Sequence, residues 1–344
     1  MPAVPHVNAA QLKGLFKRLV TVKPREPKVT VGVDIGAASV KAVALGSRKG
    51  AGPRPLLGQQ LVALDPAKEG SDVSEAMKAA VEALNVPVPP VNLAVNGQWV
   101  IMRIVEMPAM KPAEMKQALP FEAQRYLPFN VQDVVIDGVA LGPADANKAW
   151  VLIVACKKEL IERRVDAARG AGLEAALIDV DALALANAYL ASANGQAPTG
   201  TQALIDVGAQ LTNLAIIRDG TPYLVRDIPW GAEKLIRSAA EQARAEPQAV
   251  SEALTKGELT PELTGAVTSA TEALVTEVQL SFDYFENRFG QPPSDVLVSG
   301  GLSQAAGFMG GLKSHFTQPV KSWSPVEGLS GQFAVAYGLS LRTE

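Results

Sequence analysis

Apolar residues along the chain fall into short continuous or alternating runs broken by glycine, and into longer stretches with a helical period. The first periodic stretch is 8–20. There Leu12, Leu15, Phe16 and Leu19 recur at i, i+3, i+4 and i+7, with Asn8 placed as N-cap. Lys13, Lys17 and Arg18 take the other face, which predicts a basic amphipathic helix tethered by residues 21–27. Such a helix lies on a membrane surface, docks a partner, or packs against the body; its shortness and its one glycine weigh against a self-sufficient anchor. Val29–Asp34 and Val40–Leu45 predict two strands joined by a tight turn over 35–39. Residues 72–85 predict a helix, and 91–105 a strand hairpin around Asn96-Gly97, a favoured two-residue turn. The pattern changes at Met107-Pro108. A helix over 112–126, opened by Pro112 and interrupted at Pro120, precedes strands over Val134–Leu141 and Ala149–Ala155. A helix over Lys158–Ala171, closed by Gly172, completes a small α+β insertion spanning 106–177.

A return strand over 177–181 and an Ala/Leu-rich helix over 182–193 follow. Ala203–Asp206, a glycine turn and Leu214–Ile217 form the next strand pair, and Asp219-Gly220 turns the chain into Tyr223–Ile228. Residues 231–289 read as mostly helical. On the last of these helices, 266–289, Leu274, Val278, Phe282 and Phe285 form one stripe that faces a core. Val296–Ser299 is a buried strand entering Gly300-Gly301, and a helix over 332–341 ends the pattern. Laid over one another, Val33-Asp34-Ile35-Gly36-Ala37 and Ile205-Asp206-Val207-Gly208-Ala209 match, half a chain apart. A repeat of that size predicts two similarly folded lobes facing each other, since solenoid repeats are about 20–50 residues long.

With 344 residues the chain has room for two domains or one bilobal unit, and 48% apolar residues supply its core. Lys plus Arg number 32 against 35 Asp plus Glu, so the basic field of a dedicated nucleic-acid binder is missing. One cysteine, Cys156, and two histidines, His6 and His315, exclude a zinc site built from Cys and His. Neither histidine stands near a nucleophile motif that would make a catalytic triad. No apolar run reaches transmembrane length and no signal-peptide pattern opens the chain, which predicts a cytoplasmic protein.

The two Asp-Gly turns carry the candidate chemistry. An Asp at the end of a buried strand is costly unless its charge is compensated. Mg²⁺ held through water is one such partner, because it takes one or two carboxylates together with phosphate oxygens. The glycine that follows lets backbone approach a ligand, and successive amides in such a turn make an anion-binding concavity. Ser39 and Thr212 add hydroxyls and Lys41 a charge; Ser299-Gly300-Gly301-Leu302 sets further glycines after a strand, where a nucleoside passes close to backbone. Neither a Walker A loop nor GxGxxG occurs.

With these motifs the sequence resembles the actin-like ATPase superfamily: actin, sugar kinases, heat-shock chaperones and the division protein FtsA. Residues 31–41 look like its first phosphate motif, 206–212 like its second and 298–301 like its adenosine motif. Within it, the sequence is similar to the PilM family of type IV pilus assembly proteins, through Asp34-Ile35-Gly36, Ser39-Val40-Lys41, Met107-Pro108, Met110, Glu122-Ala123 and Arg125–Phe129. Lys158–Ile161, Ala171–Glu174, Arg218–Gly220, Ile228-Pro229 and Gly231 extend the likeness.

The resemblance implies an α/β actin-like ATPase fold of two lobes and four subdomains around a nucleotide cleft. Subdomain 1A would span 28–105, completed by 178–199 and 330–344, with subdomain 1C inserted at 106–177. Subdomain 2A would span 200–235, completed by 290–329, and 2B 236–289. ATP would bind with Mg²⁺ held through water by Asp34 and Asp206. Gly36, Ala37, Ser39, Lys41, Gly208, Ala209 and Thr212 would line the phosphates. Gly300 and Gly301 would flank the nucleoside, and Glu252 and Lys256 would contact ribose or adenine. Asp181 stands near the position that orients the attacking water, or else caps the following helix. Leu211 and Asn213 stand where the second turn of relatives often carries further hydroxyls and an Asp, and Asp181 is shorter than the Glu or Gln of many relatives, so hydrolysis is expected to be slow or undetectable.

The resemblance further implies a partner, the N-terminal cytoplasmic tail of PilN, bound in a groove between 1A and 1C near Tyr126, Leu127 and Phe129. Core packing of the insertion is the other reading of those three side chains. The protein would serve the pilus assembly platform and its motor from the cytoplasm, peripheral to the inner membrane. FtsA has a C-terminal membrane helix; no such pattern occurs here, so attachment would come through the partner, aided by 8–20. An FtsA-like self-polymerising ATPase and a small-molecule kinase of the same fold are the alternatives.

Overall fold

The computed structural model describes residues 28–48, 53–65, 71–192 and 198–343. The expected helix over 8–20 lies outside them. Two strand–turn–strand units organise the rest. In the first, β1 (Val29–Ile35) pairs antiparallel with β2 (Ser39–Gly46), which pairs antiparallel with β3 (Leu56–Ala63). On its other side β1 runs parallel to β4 (Val91–Val95), and β4 parallel to β8 (Ala175–Val180). The second unit repeats this order. β9 (Thr201–Val207) pairs antiparallel with β10 (Thr212–Arg218), and β10 with β11 (Thr221–Ile228). On its other side β9 runs parallel to β12 (Asp295–Gly300), and β12 to β13 (Val320–Ser322). The sheets β3-β2-β1-β4-β8 and β11-β10-β9-β12-β13 are therefore copies of one plan, as the internal repeat predicts.

The expected hairpin over 91–105 does not form. β4 stays in the first sheet, whereas β5 (Val100–Pro108) pairs with β7 (Lys148–Lys157), and β7 with β6 (Val134–Asp145). Asn96-Gly97 does turn the chain, with Gly97 at φ +85°, but the turn hands it from one sheet to another. All five residues of β4 are buried, so it belongs inside a two-faced parallel sheet and not in a half-exposed hairpin.

The helices follow from the apolar periods. They are α1 (Ser71–Glu82), α2 (Pro112–Ala123), α3 (Lys158–Gly170), α4 (Asp181–Ser192), α5 (Ala232–Ala243), α6 (Pro247–Lys256), α7 (Pro261–Phe289), α8 (Ala306–His315) and α9 (Ala334–Ser340). Pro120 lies inside α2, which ends at Ala123, three residues before the expected end. The stripe Leu274, Val278, Phe282 and Phe285 of α7 is buried in the core of the second lobe, beside Trp230 and Phe308. α4 and α9 carry residues to both sheets. Leu185 and Ala186 join Leu204, Ala215 and Ile217 of the second lobe. Ala188 joins Val43, Leu45, Ala336 and Tyr337 of the first.

The end of α9 is tied to the first strand. The Thr30 hydroxyl donates to the Ser340 carbonyl at 2.5 Å, and the Asn92 amide donates to the carbonyls of Leu339 and Arg342. Buried Arg54 donates to the Gly46, Leu45 and Ser340 carbonyls. Among the described residues no helix is long and apolar enough to cross a membrane.

The two central helices cross closely because Gly338 has no side chain: a Cβ there would lie 1.8 Å from the Ala184 carbonyl oxygen. Gly338→Ala is expected to destabilise the protein by about 3 kcal/mol or more in urea unfolding, through overpacking against backbone. Gly265→Ala, on an exposed turn of α7 with open space around it, is expected to stabilise by about 0.5–1 kcal/mol from helix propensity. A neutral Gly338→Ala would show that the two helices are free to separate.

Candidate functional site: an interlobe cleft

Each repeat ends its first strand in the same turn. The Gly36 N–H donates to the Ser39 carbonyl at 3.0 Å, and the Gly208 N–H to the Leu211 carbonyl at 2.9 Å. The two turns face each other across a cleft of about 1020 Å³. The second turn also caps a helix: the Gly208 and Ala209 carbonyls accept from the Ala232 and Glu233 amides at 2.9 Å each. Its shape is thereby coupled to α5.

Asp34 and Asp206 stand at the ends of β1 and β9, both buried. Lys41 lies directly opposite Asp34 on β2, its Nζ 2.8 Å from Asp34 Oδ2. Burial pulls the Lys41 pKa down, but the Asp34 carboxylate, backed by Asp206 and Asp181, outweighs it and leaves the ammonium raised. Asp206 accepts from the Ser299 hydroxyl at 2.6 Å. Burial pushes its pKa up to about 6, against the opposing pull of that hydrogen bond and of Lys41. Asp181 is buried at the start of α4 and accepts from the Asn96 side-chain amide. Burial, and then the facing Asp34 carboxylate, drive it well above the ordinary carboxylate range. Among the described residues, three buried carboxylates thus face Lys41 and, on the side of Asp181, Arg164.

Of the residues expected from sequence, Asp34, Gly36, Ala37, Ser39, Lys41, Asp181, Asp206, Gly208, Ala209 and Gly301 line this one cleft. Thr212 does not present its hydroxyl there. The side chain is fully buried and donates to the Trp230 carbonyl at 2.7 Å. Gly300 acts one step behind the surface: at φ +89° it lies against β9, where a Cβ would meet the Val207 oxygen at 2.3 Å. Glu252 and Lys256 pair with each other at 3.4 Å on the exposed side of α6. Their neighbours Ser251, Leu254 and Thr255 line the cleft instead, because helix phase turns them inward. Tyr126 is exposed, its hydroxyl 3.4 Å from Glu122 Oε1, and Leu127 packs into the insertion core with Leu119 and Val105. Phe129 lies 5.9 Å from the Trp99 ring, and Lys157 Nζ sits 3.8 Å above Trp99 and 4.7 Å above Phe129.

Sequence reasoning missed Asn96, Asn213, Asp227 and Arg164. Arg164 reaches from α3 to the Ala94 carbonyl at 3.1 Å and lines the cleft. Asn213 and Asp227 are aligned only by strand register, Asn213 opposite both Asp206 and Asp227.

Two lobes of one plan, with matched Asp-Gly turns across the cleft between them, define an actin-like ATPase fold. The family described as type IV pilus assembly protein PilM matches residues 32–343, and the chain belongs to that family. A solved structure titled as the PilM-PilN type IV pilus biogenesis complex is similar at 23% identity and a TM-score of 0.79, over 92% of this chain and 99% of that one. The ethanolamine utilization protein EutJ from Carboxydothermus hydrogenoformans is similar at 15% identity and a TM-score of 0.57, over 94% and 92%.

The Asp206 shift sets a pH dependence. Folded Asp206 titrates near 6 and an unfolded Asp near 3.9. The folded chain holds the extra proton between those values, so this residue's contribution to stability falls as pH rises through about 6. Asp206→Asn is expected to remove that fall in thermal melts of the metal-free protein between about pH 4 and 7.

Proposed function

We propose that the protein is a MgATP-binding adaptor of the type IV pilus assembly platform, holding the N-terminal cytoplasmic tail of PilN. The observation that carries the nucleotide reading is the pair of buried carboxylates, Asp34 and Asp206, lining one cleft, with Lys41 paired to Asp34 and a glycine turn beside each. The donor set suits Mg²⁺. Among the described residues no cluster of three acidic, His or Cys ligands would cage a metal directly. Two carboxylates leaving most positions to water and phosphate oxygens is the mode Mg²⁺ favours. Bound there, Mg²⁺ would neutralise phosphate charge and the excess of buried carboxylate. Gly36, Ala37 and Ser39 would cradle phosphate from one lobe and Gly208 and Ala209 from the other. Gly301, Ser251 and Thr255 would border the nucleoside. Asp181, held by Asn96, would orient a water; its raised pKa favours the protonated carboxyl, which has no free carboxylate to take a proton from that water. Slow turnover suits a switch.

The partner reading rests on family membership and on the insertion. Its sheet packs against the first lobe through Met102, Leu152 and Val154 on Val180, Ala182 and Leu183. The Trp99–Phe129–Lys157 cluster borders that junction, where an extended tail would lie between insertion and body. Membership of an inner-membrane platform would then place the protein at the cytoplasmic face of that membrane through its partner.

Fluorescence anisotropy with a labelled PilN N-terminal tail peptide tests the reading. Saturable binding by the MgATP-loaded protein, lost with a scrambled peptide, is expected. No binding at high micromolar concentration would shift the reading to a self-polymerising ATPase, which sedimentation with ATP would reveal. Asp34→Ala and Asp206→Ala are each expected to weaken MgATP affinity by about tenfold or more, given charge-assisted contacts worth roughly 1.5–3 kcal/mol. Unchanged affinity in both would overturn the metal assignment.

A further inference from the structure

Four polar residues cross the second sheet in register: Ser299 on β12, Asp206 on β9, Asn213 on β10 and Asp227 on β11. Ser299 and Asp206 are joined by a hydrogen bond. The other end of the row is only half satisfied. Asp227 Oδ2 accepts from the Gly97 N–H at 2.5 Å, while Asp227 Oδ1 and Asn213 Oδ1 are buried without a partner. A buried carboxylate oxygen left without a donor is costly, so such a contact persists only where the surrounding structure holds it.

Gly97 belongs to the other half of the molecule. It stands in the four-residue passage 96–99 between β4 of the first lobe and β5 of the insertion. Each part of that passage touches something different. Asn96 donates to Asp181 in the cleft. Gly97 donates to Asp227 of the second lobe and also meets the tip of the second Asp-Gly turn, with Leu211 Cδ1 3.5 Å from where its Cβ would be. Trp99 carries Phe129 and Lys157 of the insertion. Beyond Gly97, β5 and β11 are the edge strands of their sheets and line the two sides of a groove of about 1100 Å³. A movement of the second lobe therefore reaches the passage 96–99, and with it the cleft side of the insertion, through the Gly97 amide, while Trp150 on Phe289 is a separate apolar contact at the other end of β7.

We propose that the Asp227–Gly97 hydrogen bond is an interlobe latch through which nucleotide in the cleft sets the affinity of the insertion for the PilN tail, a regulatory step that rests on the adaptor reading above. A ligand shifts a two-state equilibrium only as far as it binds one state better. Nucleotide held between the 36–39 and 208–211 turns contacts both lobes and favours the arrangement in which Leu211 and Asp227 grip Gly97. By linkage, the tail then alters nucleotide affinity by the same factor.

The test measures tail-peptide Kd with and without MgATP for the wild type, Asp227→Ala and Asp227→Asn. For the wild type the two values are expected to differ by about fivefold or more, the usual range of such couplings. Asp227→Ala is expected to bring the ratio within about twofold of one while still binding both ligands; Asp227→Asn, which retains an oxygen for the Gly97 amide, keeps most of the wild-type ratio. Should Asp227→Ala fail to fold, Asp227→Ser, one atom too short to keep the bond, carries the same comparison. An undiminished ratio in Asp227→Ala or Asp227→Ser overturns the latch and leaves the adaptor reading standing. A wild-type ratio of one, with both ligands bound, also overturns the latch alone. Absence of peptide binding by the wild type overturns the adaptor reading itself.

Discussion

Negative charge at the ends of two buried strands, only partly compensated from within the protein, is the constraint around which this molecule is built. Asp34, Asp206 and Asp181 converge on one cleft with Lys41 as their near cation. In water that charge density would cost little; behind two apolar sheets it leaves Asp206 half-protonated near pH 6 and pushes the Asp181 pKa well above the ordinary carboxylate range. Both lobes present their strand ends to the same space because both are folded on the same plan. The site is thus a property of the pair, and any cation that enters joins the two halves as well as neutralising them.

What the sequence displayed was everything local. The Asp-Gly turns and the helical stripe of α7 are both patterns within a few positions of one another. Asp34 and Asp206 could be matched because each carries its own strand and turn with it. Asn213 and Asp227 were not legible, since their alignment exists only once β9, β10 and β11 lie side by side. Thr212 misled for a related reason: its hydroxyl is next to the turn in sequence but faces the Trp230 carbonyl in space. Glu252 and Lys256 missed the cleft by one helical position, a phase that composition does not show. Asn96-Gly97 has the chemistry of a hairpin turn and makes a turn, yet where the following strand pairs depends on β7, about fifty residues away.

The insertion is joined to the body in two different ways. Its sheet buries apolar residues against α4, a contact without direction that tolerates small sliding. At 96–99, hydrogen bonds of fixed geometry reach Asp181 and Asp227. A greasy contact with a polar peg allows rotation about a defined point. Trp150 at the far end of β7 adds an aromatic contact to Phe289 of the second lobe, with centroids 5.4 Å apart. The insertion thus touches both lobes at separated places, which suits a part that reports their relative position.

The tie between Thr30 and Ser340 has a consequence for how the chain comes to be folded. These residues are 310 positions apart, and the helix that covers β1 is the last one described. During synthesis the first sheet emerges early with one apolar face uncovered, whereas the second lobe is built from consecutive segments. The second lobe too packs Leu204, Ala215 and Ile217 against Ala334, so both lobes wait for residues 334–340, the one translated first for longer. Until then Val43 and Leu45 have no α9 to pack against. That interval is when this protein most needs shielding from its neighbours, so damage to the last helix would appear as loss of soluble product before it appeared as loss of activity.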